Sequence, residues 1–176
     1  IFMEPTMNAA LDGISKSGIR VFTQMAKQEP GCLFLTLGEP DFDTPASIRE
    51  AAKASLDAGD THYPENNGQP FLRQAIARFE QEKHGLSYAP DEIIVTVGAT
   101  EALFCALFGI LNPGDEVIVP TPAFGLYEAI IKLCRGVCVP LDTRADGFQI
   151  RPAALQAALS PRTKAIILTS PNNPTG

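Results

Sequence analysis

The hydrophobic pattern changes period near residue 90. Before it, apolar positions recur at helical spacing. Ile19, Phe22, Met25 and Ala26 share one face of a helix expected within Ser15 to Gln28. Cys32 to Leu37 is a short apolar run that reads as extended and ends in the loop Gly38-Glu39-Pro40-Asp41. Thr44-Pro45 reads as an N-cap followed by proline at the first helical position, with Ile48, Ala51, Ala52, Ser55 and Leu56 behind it and Gly59 as the stop. A second helix is expected from about Pro70 to His84, with Leu72, Ala75, Ile76 and Phe79 on one face and Gly85 at its end.

Beyond residue 90, short β-branched runs alternate with helices. Strands are expected at Glu92 to Val97, Val117 to Val119, Val137 to Leu141 and Ala165 to Leu168. Helices are expected at Thr100 to Leu111, Ala123 to Cys134 and Pro152 to Leu159. The first of these is apolar nearly all round, which predicts burial. Continuous apolar strands alternating with helices predict an α/β fold, a mainly parallel sheet with helices on both faces.

Ligands of open parallel sheets bind beyond the carboxyl ends of strands, so the loops there are informative. Gly98-Ala99-Thr100 follows the first expected strand. Its glycine allows a sharp turn, and its Thr is an N-cap candidate at a helix N-terminus that suits phosphate. Neither a dinucleotide fingerprint nor a Walker loop is present. Phe124 and Tyr127 follow the second expected strand and can stack on a planar ring or pack against a helix. Ser170-Pro171-Asn172-Asn173-Pro174-Thr175-Gly176 follows the fourth. It is a rigid loop whose asparagines can serve a ligand or cap the backbone.

Composition narrows the classes. The 176 residues are 45% hydrophobic with a net charge of −6, too apolar for a disordered chain. The 14 Lys and Arg are scattered, which argues against nucleic-acid binding. The longest apolar run, Ala102 to Leu111, falls short of the roughly 20 residues a bilayer needs. The N-terminal residues lack the basic start and apolar run of a signal peptide. Cys32, Cys105, Cys134 and Cys138 have neither metal nor disulfide spacing, and they read as reduced core thiols of a cytoplasmic protein.

Together the motifs resemble the class I/II pyridoxal-phosphate-dependent aminotransferases of fold type I. The resemblance starts at Ser17-Gly18-Ile19-Arg20 and runs through Leu37-Gly38-Glu39-Pro40-Asp41-Phe42. It continues in Tyr63, Gly68 and Leu72-Arg73 and ends at Asn173-Pro174-Thr175-Gly176. It implies pyridoxal 5′-phosphate as cofactor, with Gly98, Ala99 and Thr100 in the phosphate cup. Phe124 would stack on the ring, where other members often have Trp or Tyr. Asn173 would bond the phenolic oxygen. Tyr63 would reach the phosphate of the neighbouring subunit's cofactor in a homodimer with shared active sites. The loop of Gly38 would lie near the substrate carboxylate. The resemblance also implies that 1–43 is an N-terminal arm and small-domain segment, and that 44–176 is the first part of the large cofactor domain.

The implied reaction moves an amino group between an L-amino acid and a 2-oxo acid by a ping-pong mechanism. In the family, the Schiff-base lysine, the aspartate at the pyridine nitrogen and the carboxylate-binding arginine all follow the Asn-Pro-Thr-Gly motif. No catalytic residue is therefore assigned in this chain, which is expected to be the N-terminal part of a longer protein and inactive alone. Two other readings share the resemblance. One is a carbon–sulfur lyase of the same fold. The other is the aminotransferase-like domain of a transcription regulator, for which 1–14 is too short to hold a helix-turn-helix and carries no Lys or Arg.

Overall fold

The computed structural model describes residues 6–14, 18–36 and 38–176. Parts of two expectations, Ser15–Ser17 of the first helix and Leu37 of the extended run, lie outside these. The chain forms two compact units, one of Gly18–Thr96 and one of Val97–Gly176 with the described residues of the N-terminal segment.

The first unit is helical. α1 spans Gly18–Ala26, α2 Ala46–Asp57 and α3 Pro70–His84. Pro45, not Thr44, holds the N-cap position of α2, because its extended ψ of 140° keeps it outside the helix. Gly59 follows that helix with a φ of 78°. α3 is bounded as its sequence requires, by Pro70 in the first turn and by Gly85 in the left-handed conformation. Residues 32–36 carry no strand. Nor is Glu92–Val97 the strand that its β-branched residues predict. Pro90–Glu92 forms a 3-10 turn, and the backbone beyond it carries no strand. β-branching favours extended backbone, whereas a strand also needs a neighbour.

The second unit carries the sheet. α4 (Gly98–Ile110) leads to β1 (Glu116–Thr121), α5 (Leu126–Leu133), β2 (Val137–Asp142), α6 (Pro152–Ala158) and β3 (Thr163–Ile166). α5 starts three residues later than the sequence suggests, because Pro122–Gly125 is spent on the turn out of β1. Both strand pairs are parallel, in the order β2-β1-β3. The two crossovers run in opposite directions across the sheet, so right-handed connections place α5 and α6 on opposite faces.

The core lies under the central strand. Val117 and Val119 point to one face and pack with Leu107 and Leu111 at the end of α4 and with Ile130, Ile131 and Cys134 at the end of α5. Ile118 is fully buried on the other face. The all-round burial predicted for α4 is not found: Leu107 is buried, but Phe108 is two-thirds exposed. The thiols also divide. Cys134 is buried, whereas Cys32 and Cys105 are exposed rather than in a core. Burial pushes the Cys134 and Cys138 thiols up, away from the reactive thiolate.

At the amino end of the sheet, Glu116 is 6% exposed. Its carboxylate accepts from Ser160 Oγ at 2.6 Å and from Arg162 Nη2 and Nε at 2.6 and 2.9 Å, which stitches β1 to the turn before β3. The hydrogen bonds from Ser160 and then Arg162 hold the Glu116 carboxyl below the usual glutamate range. The stabilisation is therefore present above the unfolded pKa and is lost as pH falls through the lowered one. We expect the thermal midpoint to fall on acidification from neutral to about pH 3, and Glu116→Gln to remove part of that slope. Melting curves of both proteins across this range check it, and parallel slopes would contradict it.

Candidate functional site

The carboxyl ends of the strands gather the candidate residues of the second unit. α4 ends at the amino end of β1 through the turn 112–115, where Asp115 Oδ2 accepts the Asn112 N–H at 2.8 Å. α4 has 13 residues and β1 has six. At about 1.5 Å and about 3.3 Å per residue, each spans about 20 Å. The helix returns along the strand, so Gly98–Thr100 lies at the rim where β1 ends.

That N-terminus presents backbone amides. Gly98 has a φ of 77°, and a Cβ there would meet nothing within 4 Å. Val97 holds the N-cap position, which corrects the reading of Thr100 as the cap: Thr100 is the third residue of the helix. No side chain caps the first turn from Val97. Instead the Glu101 carboxylate accepts the Val97 N–H. The amides of Ala99 and Thr100 precede the first intrahelical donor and point along the axis out of the helix. Together with the helix dipole they favour negative charge at this point.

The loop after β1 brings the aromatic. Phe124 is 37% exposed and meets Tyr127 edge-on, with ring centroids 5.8 Å apart. Tyr127 OH shares a hydrogen bond of 3.0 Å with Thr169 Oγ1. Phe124 thus keeps ring surface open while Tyr127 ties α5 to the segment after β3.

The two asparagines divide the two readings of their loop. Asn172 donates from Nδ2 to the Pro122 carbonyl at 3.0 Å and to Thr175 Oγ1 at 2.8 Å, which fastens the loop after β3 to the loop after β1. Asn173 is exposed, and among the described residues its side chain has no protein partner. Asn172 is the clamp, and the Asn173 side chain stays open at the surface. Thr143 adds a further clamp that its sequence does not advertise: it is buried and donates to the Thr121 carbonyl at 2.8 Å. Two small clefts flank the end of β1. One of about 80 Å³ is bordered by Pro122, Tyr127, Thr169 and Asn172, and one of about 140 Å³ by Thr121, Phe124 and Glu128. Both are below the roughly 300 Å³ of a small-molecule pocket, so together they form an open wall rather than a closed pocket.

Among the described residues of this unit, no charged side chain is spare at the wall. Arg144 is held by Asp142, at 2.7 Å from Nη2 to Oδ2, and its side-chain and backbone hydrogen bonds push the Asp142 carboxyl down to about 2. Lys132 pairs with Glu128 at 2.7 Å in the last turn of α5, and Lys164 lies near the start of β3. Both are towards the amino end of the sheet.

Tyr63 and Gly38 belong to the first unit. Tyr63 is fully exposed on the loop between α2 and α3. Gly38 is also exposed. The wall fits pyridoxal 5′-phosphate in the chemistry of its donors. It offers amides at a helix N-terminus for a phosphate, an open aromatic face for a ring, and an unused amide for an oxygen of that ring. Among the described residues no helix is long and apolar enough to cross a membrane.

Comparisons with known proteins give the family and the fold. The family described as aminotransferase class I and II matches residues 30–176. The aspartate/prephenate aminotransferase of Thermus thermophilus is 44% identical over 154 residues, 87% of this chain and 40% of the relative. The aspartate aminotransferase of Rhizobium meliloti superposes with a TM-score of 0.89 at 37% identity, covering 97% of this chain and 44% of that one. The Thermus thermophilus aspartate aminotransferase with maleate gives a TM-score of 0.91 at 39% identity, covering 97% of this chain and 46% of that one. The chain therefore spans less than half the length of these proteins.

Proposed function

The chain belongs to the class I and II aminotransferases, and from that premise we propose that the full-length protein binds pyridoxal 5′-phosphate at the rim of β1 and moves an amino group between an L-amino acid and a 2-oxo acid. One observation carries the reading. Phe124 keeps ring surface open just past the carboxyl end of β1, and Asn173, exposed and without a side-chain partner among the described residues, lies in the loop that Asn172 ties to the Pro122 carbonyl, at the end of the sheet towards which the Ala99 and Thr100 amides of α4 return.

Each residue has a task. The amides of Ala99 and Thr100 and the Thr100 hydroxyl hold the phosphate, and Gly98 keeps their approach open. Phe124 stacks on the ring and fixes its plane. Its lack of a hydroxyl leaves stacking as its whole contribution. The Asn173 amide donates to the phenolic oxygen and helps tune its basicity. Tyr63 reaches the phosphate of a neighbouring subunit's cofactor, which makes the protein a homodimer with shared sites. The loop of Gly38 lies by the substrate carboxylate. When bound, the cofactor supplies an aldehyde and an electron sink for the α-carbon of an amino acid. The positions of Lys132 and Lys164 support placing the family's proton-moving lysine after Gly176. Residues 1–43 then serve as arm and small-domain segment and 44–176 as the first part of the large domain, in a cytoplasmic enzyme.

The test is a half-reaction. Several relatives are named for aspartate, so aspartate is the first donor to try. Cofactor-loaded full-length protein, given a donor and no acceptor, is expected to release one 2-oxo acid per subunit and stop until a 2-oxo acid is added. Continuous ammonia release without acceptor would overturn the reading in favour of a lyase.

A further inference from the structure

We propose that Arg73 is a positioning residue for the cofactor phosphate, acting through the loop that presents Tyr63; the proposal rests on the role given to Tyr63 above. Arg73 lies in the first turns of α3 and is only 8% exposed. A guanidinium is costly to bury, and this one is satisfied by three acceptors from two segments at once. Nε donates to the Gly68 carbonyl at 3.0 Å, Nη1 to the Pro90 carbonyl at 2.9 Å and Nη2 to the Glu65 carboxylate at 2.6 Å. Only a planar fork with several fixed donors can serve this set, which a lysine cannot.

The acceptors show what the fork holds. Glu65 and Gly68 belong to the loop that carries Tyr63, and Pro90 belongs to the segment beyond α3. The start of the same loop is fixed by Ser55, whose Oγ donates to Asp60 Oδ2 at 3.0 Å while its carbonyl accepts the Asp60 N–H at 3.1 Å. Between these anchors, Tyr63 has no hydrogen bond or ring contact among the described residues that could aim it. Its ring is fully exposed. The reach of the phenol is thus set by where the backbone carries residue 63, and the downstream end of that backbone is fixed by Arg73.

The experiment is a double-mutant cycle on the full-length protein, read as equilibrium binding of pyridoxal 5′-phosphate and of pyridoxal, which lacks the phosphate. Arg73→Lys is expected to weaken pyridoxal 5′-phosphate binding about 10-fold, the worth of one good hydrogen bond, and to leave pyridoxal unchanged. In a Tyr63→Phe background the same substitution is expected to have no further effect. Glu65→Gln, an exposed change that spares the fold, is expected to act in the same direction by about 2- to 5-fold. Additive losses in both backgrounds, or equal losses for pyridoxal, would reduce Arg73 to a structural role and overturn the proposal. A loss with Tyr63→Phe but none with Arg73→Lys or Glu65→Gln would overturn it while leaving the role of Tyr63 intact. No loss with Tyr63→Phe would overturn both.

Discussion

Gly68→Ala is expected to destabilise the protein by about 2–4 kcal/mol. Two costs coincide at this position. Gly68 has a φ of 99°, where an L side chain meets its own backbone. A Cβ there would also lie 2.6 Å from Val95 Cγ2 and 2.7 Å from Val95 Cβ. The Val95 Cβ cannot swing away, because the Val95 N–H is bonded to the Asn67 carbonyl at 3.0 Å. Either the loop lifts from Val95 or the extended segment moves, and both motions strain the Arg73 clamp. Gly85→Ala separates the two costs. Gly85 is also left-handed, at 68°, but a Cβ there meets nothing within 4 Å, so only the conformational cost of about 1 kcal/mol applies. Denaturant midpoints of the two variants check the difference. A Gly68→Ala protein no less stable than Gly85→Ala would contradict the close packing on Val95.

Ala99→Pro is expected to lower affinity for pyridoxal 5′-phosphate by about 10- to 100-fold in the full-length protein while leaving affinity for pyridoxal unchanged. The substitution removes one N–H and little else. Position 99 is the second residue of α4, where the amide has no intrahelical acceptor and a proline ring has no preceding turn to strike. The residue before it is Gly98, already outside the helical region that a following proline disfavours. What is lost is a hydrogen bond to a charged group, worth about 1.5–3 kcal/mol. Titration of the variant with each compound measures it. Equal losses for both would mean that the helix N-terminus does not hold the phosphate.

Elements with local causes were legible along the chain, and those with distant causes were not. α3 was legible to its ends because proline at its start and glycine at its stop act through their own backbone. The parallel α/β order was legible because buried strands must be continuously apolar. Glu92–Val97 was misread because pairing depends on a distant neighbour, which composition does not disclose. The outer face of α4 was misread for the same reason. Apolar residues show what can be buried but not what covers them, and Phe108 stays exposed. At the site, sequence pointed to the Asn-Asn pair but left its roles open. Only the bond from Asn172 to the Pro122 carbonyl, fifty residues away, separates clamp from candidate ligand. Arg73 was visible as part of a motif, yet a charged residue on a helix reads as solvent-facing. Its three acceptors at positions 65, 68 and 90 become neighbours only in the fold.

The central claim is that the N-terminus of α4 seats the cofactor phosphate while Phe124 and Asn173 hold its ring. The most direct measurement is a crystal structure of the full-length protein soaked or grown with pyridoxal 5′-phosphate. The account predicts phosphate oxygens within hydrogen-bond reach of the Ala99 and Thr100 amides, the ring lying on Phe124, and the Asn173 amide bonded to the phenolic oxygen. A phosphate bound away from α4, with Phe124 and Asn173 untouched, would contradict it.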